Sequence, residues 1–184
     1  MTIAASNLGV AQLLIVQLAA FLAALLLASG LHKMIGRERA QAVVREFAGV
    51  PRRLAPFVLA AVAATEALAG ILLWMPSSRA EGGALALLIW GGYLWLILRA
   101  IAQGRRDVDC GCSFGAAKRP LGAYHVVRTA GLSGAAALVA VGCAASATGP
   151  VIASQVLAAL ALLALYGALD QVMSLTAPRA GALL

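Results

Sequence analysis

The stretch VAQLLIVQLAAFLAALLLAS, Val10 to Ser29, has no charged residue and is broken only by the amides of Gln12 and Gln17 and the terminal Ser29. Its length matches the roughly 20 apolar residues needed to cross a hydrocarbon core about 30 Å thick as a helix. Both amides are expected to face neighbouring helices, where they find hydrogen-bond partners, rather than lipid. The run decides the fold because it is repeated. Four further apolar segments follow at about 54–75, 84–101, 123–143 and 151–173.

Composition agrees. The chain of 184 residues is 62% hydrophobic and 11% charged, against about 25% charged in an ordinary soluble domain. Its 19 glycines and many alanines suit helices that approach closely in lipid. The expected fold is therefore all-α: a polytopic membrane helical bundle of five transmembrane helices in one transmembrane domain, residues 1–184. Met1 to Val10 carries no Lys or Arg, so the first run lacks the basic leader of a cleaved signal peptide and is expected to be retained. A net charge of +7 raises nucleic acid as a partner. The basic residues flank apolar runs without interleaved aromatics, however, so they read as topology anchors and membrane lipid is the expected partner.

Between the first two runs, about 33–49, apolar Ala40, Val43, Val44 and Phe47 recur at helical spacing while Arg37, Glu38, Arg39 and Arg45 take the other positions. This pattern predicts an interfacial amphipathic helix, its basic face among anionic head groups, stopped by Gly49-Val50-Pro51. The second run carries Glu66 at its middle. A carboxyl at that depth is costly and is turned inward with a partner or a role, so Glu66 is a site candidate, the alternative being a protonated carboxyl hydrogen-bonded across a helix interface. Glu66 and Lys33 are supporting candidates as a buried acid–base or ion-pair element. The third run holds Trp90, Tyr93 and Trp95, explained by interfacial anchoring and by packing around Gly91-Gly92. A loop at Pro76 to Gly83 precedes it. Asp170, near the end of the fifth run, reads as solvated at the interface.

The longest polar interruption of the second half, about 103–120, contains Asp109-Cys110-Gly111-Cys112-Ser113-Phe114-Gly115. Extended residues i and i+2 stand roughly 6.5 to 7 Å apart, at the far end of what a disulfide spans. A Cys110–Cys112 bridge therefore needs a tight turn, which Gly111 can make. Such a bridge is strained and exchange-prone. Thiol–disulfide chemistry, a thiolate metal site for a soft ion such as monovalent copper, and two unrelated cysteines all remain open at this point. Arg105, Arg106, Lys118 and Arg119 favour thiolates while Asp107 and Asp109 oppose them. His125 and Arg128 open the next helix close in sequence to the thiols, where a substrate or a quinone headgroup is one reading and a snorkelling Arg128 the other. Cys143, about 30 Å of helical rise away, reads as an apolar filler.

Lys and Arg counts in the short loops alternate. They are high after runs one and three and low after two and four, which places the N-terminus outside and the paired cysteines at the cytoplasmic face. Electrons crossing the membrane would then need a quinone, a re-entrant cysteine loop or a motion to carry them.

Gly30-Leu31-His32-Lys33 closing the first run, Pro56 with Glu66 and Gly70 in the second, and the Cys110-Gly111-Cys112 motif followed by Val127-Arg128 together resemble the methylamine-utilisation protein MauE family, within the wider group of DoxX-like redox-associated membrane proteins. Ser113 departs from that family's pattern, which runs from the second cysteine directly to Phe-Gly. The resemblance implies a protein of the bacterial inner membrane, multi-pass, that takes part in processing the small (beta) subunit of periplasmic methylamine dehydrogenase. It implies a thioredoxin-like partner of the MauD type, with Cys110 and Cys112 as the dithiol of a thiol–disulfide oxidoreductase. A non-enzymatic assembly factor holding the same partner is the alternative from a different class, and the thiolate metal site is another.

Overall fold

The computed structural model describes residues 2–105, 121–142 and 149–175, with side chains placed for 9–105, 121–142 and 153–172. Cys110, Gly111, Cys112 and Cys143 lie outside the described residues. Six helices are seen in chain order: α1 (Thr2–Ile35), α2 (Arg37–Ala48), α3 (Ala55–Trp74), α4 (Arg79–Ala102), α5 (Ala123–Val141) and α6 (Gly149–Leu175). Five of them are long and apolar enough to cross a membrane, and no strand occurs among the described residues. The chain is a polytopic helical membrane protein.

Helices α1, α3, α4 and α5 pack as a four-membered ring, each against the next and α5 back on α1, while α6 leans on α1 from outside. The core is made of Leu22 and Leu26 of α1, Leu73 of α3, Trp90 of α4 and Val139 of α5, filled in by Ala19, Ala23, Ala69, Ala86 and Ala136. Large residues thus alternate with alanines that let the backbones close up.

Two glycines set the tightest approach to the backbone of neighbouring helices. A Cβ on Gly82 would stand 2.5 Å from the Leu73 amide nitrogen, and one on Gly83 would stand 2.7 Å from that of Ala140. Adjacent residues of α4 therefore let α3 approach one side and α5 the other. Gly91 and Gly92, expected to play this part, have nothing within 4 Å of their would-be Cβ positions. Residues 79–83, read from sequence as loop, are the first turn and a half of α4. Only the 3-10 turn Pro76–Ser78 separates it from α3. The turn is secured by Arg79, whose Nε donates to the Leu73 carbonyl at 3.3 Å, and by Glu81, an acid in the first turn where the helix dipole favours one.

At the other end, α1 does not stop at Ser29 but continues to Ile35. Helix α2 then turns aside, has no fully buried residue, and ends at Gly49 in the left-handed conformation (φ 70°) that glycine adopts without a Cβ clash. Pro56 sits in the first turn of α3, where its missing N–H costs nothing. This is the amphipathic helix expected between the first two spans.

Candidate functional site

Extending α1 past Ser29 places Ser29 and Lys33 four residues apart, on one face of the helix. That face meets α3 where Gly30 lets the Ala63 carbonyl approach to 3.2 Å of a would-be Cβ. Opposite it stands Glu66, completely buried. Lys33 Nζ donates to Glu66 Oε1 at 2.6 Å, to Oε2 at 2.8 Å and to Ser29 Oγ at 2.7 Å, so its three protons meet three acceptors. Ser29 Oγ donates to Glu66 Oε1 at 3.3 Å and the Tyr93 hydroxyl to the same oxygen at 2.6 Å. Lys33 also lies over the Tyr93 ring, 5.4 Å from its centroid. One carboxylate thus ties α1, α3 and α4 together, and a buried charge is tolerated because it is paired and hydrogen-bonded.

A second cluster joins α5 to α6. Arg128 Nη1 lies 2.9 Å from Asp170 Oδ1, the Tyr124 hydroxyl donates to that oxygen at 3.3 Å, and the guanidinium lies 5.4 Å from the Tyr166 ring centroid. This corrects two sequence expectations. Arg128 does not snorkel outward, and Asp170 is 6% exposed rather than solvated. Asp170, inside α6 as expected from the apolar run, meets Arg128 of α5 across the helix interface. His125 is buried, edge-on to Tyr124 with centroids 5.6 Å apart.

The clusters share a small cavity of about 30 Å³ whose walls include Ser29, Tyr93, Arg128, Thr129 and Tyr166. That is about the volume of one water, in a lining with the polar partners a water needs. Both sets of polar residues therefore border one internal space. Tyr93, Tyr124, Tyr166 and Ser29 were not singled out as site residues from sequence. The only available signal was the i, i+4 pair Ser29/Lys33, masked by the expectation that α1 ended at Ser29.

The remaining polar expectations divide. Gln17 donates to Ser154 Oγ of α6 at 3.3 Å, whereas Gln12 is exposed. Among the described residues no group of three or more His, Cys, Asp and Glu side chains is placed to hold a metal ion. Cys110 and Cys112 belong to the segment that joins α4 to α5. The flanks of that segment are described: Arg105 donates to the Glu46 carbonyl of α2, and Leu121 is buried.

The family model of methylamine utilisation protein MauE matches residues 10–142. The match spans α1 from residue 10 onward and reaches the end of α5, so it contains Ser29, Lys33, Glu66, Tyr93 and Arg128 as well as both paired cysteines, and leaves out Asp170. No curated protein sequence and no solved structure matches the chain.

Proposed function

The chain belongs to the methylamine utilisation protein MauE family, a multi-pass membrane protein with a part in methylamine utilisation, and we propose that its part is a thiol–disulfide relay. Cys110 and Cys112 exchange with a thioredoxin-like partner of the MauD type, in the bacterial inner membrane, during maturation of the methylamine dehydrogenase small subunit. In the step proposed, the thiolate of one cysteine attacks a partner disulfide and expels one partner thiolate, forming a mixed disulfide. The thiolate of the other cysteine then attacks its neighbour's sulfur and expels the second partner thiolate. Two thiols of this chain are oxidised and one partner disulfide is reduced; the reverse passage uses the same atoms.

The observation that supports this reading is that each of the two helices that flank the cysteine segment in sequence, α4 and α5, carries a member of an ion-paired cluster. Helices α4 and α5, which that segment joins, carry Tyr93 and Arg128 into the shared cavity. Tyr93 thus ties α4 to α3 through Glu66, and Arg128 ties α5 to α6 through Asp170. Glu66, Lys33 and Arg128 act there as positioning residues, and Gly111 supplies the turn. The partner is periplasmic and the loop charges favour a cytoplasmic cysteine segment, so direct exchange requires a re-entrant cysteine loop or a motion, and otherwise a quinone is the proposed carrier across the bilayer.

Replacing Cys110 and Cys112 by serine, singly and together, tests the relay. A single variant is expected to trap a mixed disulfide with the thioredoxin-like partner on a non-reducing gel, and the double variant to form no adduct and to leave the small subunit without its native disulfides. Full maturation by the double variant would refute the relay in favour of an assembly factor that acts by binding alone.

A further inference from the structure

Beneath α2 lies a cavity of about 210 Å³, roofed by Ala40, Val43 and Phe47 and floored by Val58 of α3 and Ile97 of α4, with Lys33 and Tyr93 at its inner end. It is larger than the roughly 150 Å³ apolar cavity that accepts a benzene. We infer that it is a binding site for one acyl chain of an anionic phospholipid, whose head group rests on the basic surface around the end of α2. The inference does not depend on the thiol relay.

Three observations support that occupant. The cavity is apolar along its length, and the two polar residues at its inner end have their protons spent. All three protons of Lys33 go to Glu66 and Ser29, and the Tyr93 hydroxyl donates to Glu66. Water or a carbonyl-bearing headgroup entering there would find no free Lys33 or Tyr93 proton, while a methyl terminus needs none.

The second observation is the way α2 sits. Its apolar stripe faces the α3–α4 groove, yet none of its residues is fully buried. The helix roofs the groove without filling it, and a chain entering from the surrounding hydrocarbon supplies the missing contacts.

The third is charge. Exposed Arg45, Arg52 and Arg53 lie on α2 and the turn after it, and exposed Arg105 is fixed to that end by its bond to the Glu46 carbonyl. Four cations at one end of an apolar slot complement a phosphodiester anchored by a hydrocarbon tail.

The full chain, purified in detergent, is to be examined by native mass spectrometry with phosphatidylglycerol and phosphatidylcholine of matched chains. One phosphatidylglycerol per protein is expected to be retained, at least tenfold more tightly than phosphatidylcholine. Ala40→Phe, which fills the slot, and the pair Arg52→Gln with Arg53→Gln should each weaken retention about tenfold. Phe47→Trp gives a readout that keeps the slot apolar: phospholipid brominated on its chain should quench this tryptophan and saturate at one per protein. Equal retention of the two lipids, retention unaffected by Ala40→Phe in a folded variant, quenching without saturation, or displacement of phosphatidylglycerol by equimolar ubiquinone would overturn the assignment.

Discussion

Replacing Lys33 by methionine keeps the stem that packs against Tyr93 and removes only the charge. Glu66, whose side chain is 1% exposed against 14% for Lys33, then keeps the Tyr93 and Ser29 donors but faces no cation. Removing one partner of a buried pair typically costs about 3–5 kcal/mol, a fall of roughly 150- to 5,000-fold in the folded-to-unfolded ratio at about 1.4 kcal/mol per decade. Glu66→Met should cost less, about 1–3 kcal/mol, because Lys33 stands near the end of α1 and can turn its ammonium toward the interface. The double variant leaves neither ion stranded and should fall well short of the sum, giving a coupling of about 2 kcal/mol or more. Reversible unfolding of the four proteins in mixed micelles measures it. Hydrogen bonds between membrane helices average about 0.6 kcal/mol in such cycles. A coupling at that level, or a Glu66→Met cost equal to that of Lys33→Met, would refute the account of Glu66 as a charge held inside the bundle by Lys33.

The same unfolding assay checks the glycines of α4 and Tyr93, and amide exchange checks Arg128. Gly82→Val and Gly83→Val force a side chain into the neighbouring backbone and should each cost about 1–3 kcal/mol or more, whereas Gly91→Ala meets open space and should gain up to about 1 kcal/mol from helix propensity. Tyr93→Phe keeps the ring and loses the bond to Glu66, for about 1.5–3 kcal/mol, the range for a hydrogen bond to a charged group. Arg128→Met unties α5 from α6, so amide exchange should rise across 153–172 and remain unchanged in α3. Arg128→Lys should restore protection only in part, because an ammonium cannot reproduce the stacking of a guanidinium on Tyr166.

The spans were legible because an apolar run of membrane length has almost no competing explanation, and α2 because its period is helical in a charged segment. The ends of the spans were not. Hydropathy falls at Gly30-Leu31-His32-Lys33, which reads as the close of the first run, and at Arg79-Ala80-Glu81-Gly82-Gly83, which reads as loop. The first stays helical because Lys33 is neutralised by Glu66, a residue 33 positions away in sequence. The second does so because its glycines are contact points between helices, a role that sequence alone cannot distinguish from a turn. Tyr93 illustrates the limit of pattern reading. Beside two glycines and between two tryptophans it resembles a packing or interfacial ring, and only the depth of Glu66 on the facing helix turns its hydroxyl into a ligand for a carboxylate. Asp170 is hidden from sequence for a related reason: its partner, Arg128, lies on another helix 42 positions away.

The ion pairs also sharpen the argument for orientation. Lys33 and Arg128 were counted as topology anchors, yet both are neutralised inside the bundle and should carry little weight at the membrane surface. Removing them leaves Arg37, Arg39, Arg45, Arg52 and Arg53 between α1 and α3, and Arg99 in the last turn of α4 with Arg105, Arg106, Lys118 and Arg119 after it. The opposite side has at the α3–α4 turn only Arg79, the first residue of α4, which is 4% exposed. The asymmetry therefore survives the correction, and the positive-inside rule predicts a cytoplasmic cysteine segment. Alkylation of Cys110 and Cys112 in intact cells with a membrane-impermeant maleimide, read as a mass shift, is expected to occur only after lysis. A requirement for prior reduction would establish that the pair rests as a disulfide. Labelling of the unlysed cell would refute the charge argument and make direct exchange with a periplasmic thioredoxin-like domain the simplest route. Labelling only after lysis leaves the relay needing a carrier across the five spans, and the buried polar layer shared by α1, α3, α4 and α5 is then the first place to test for one.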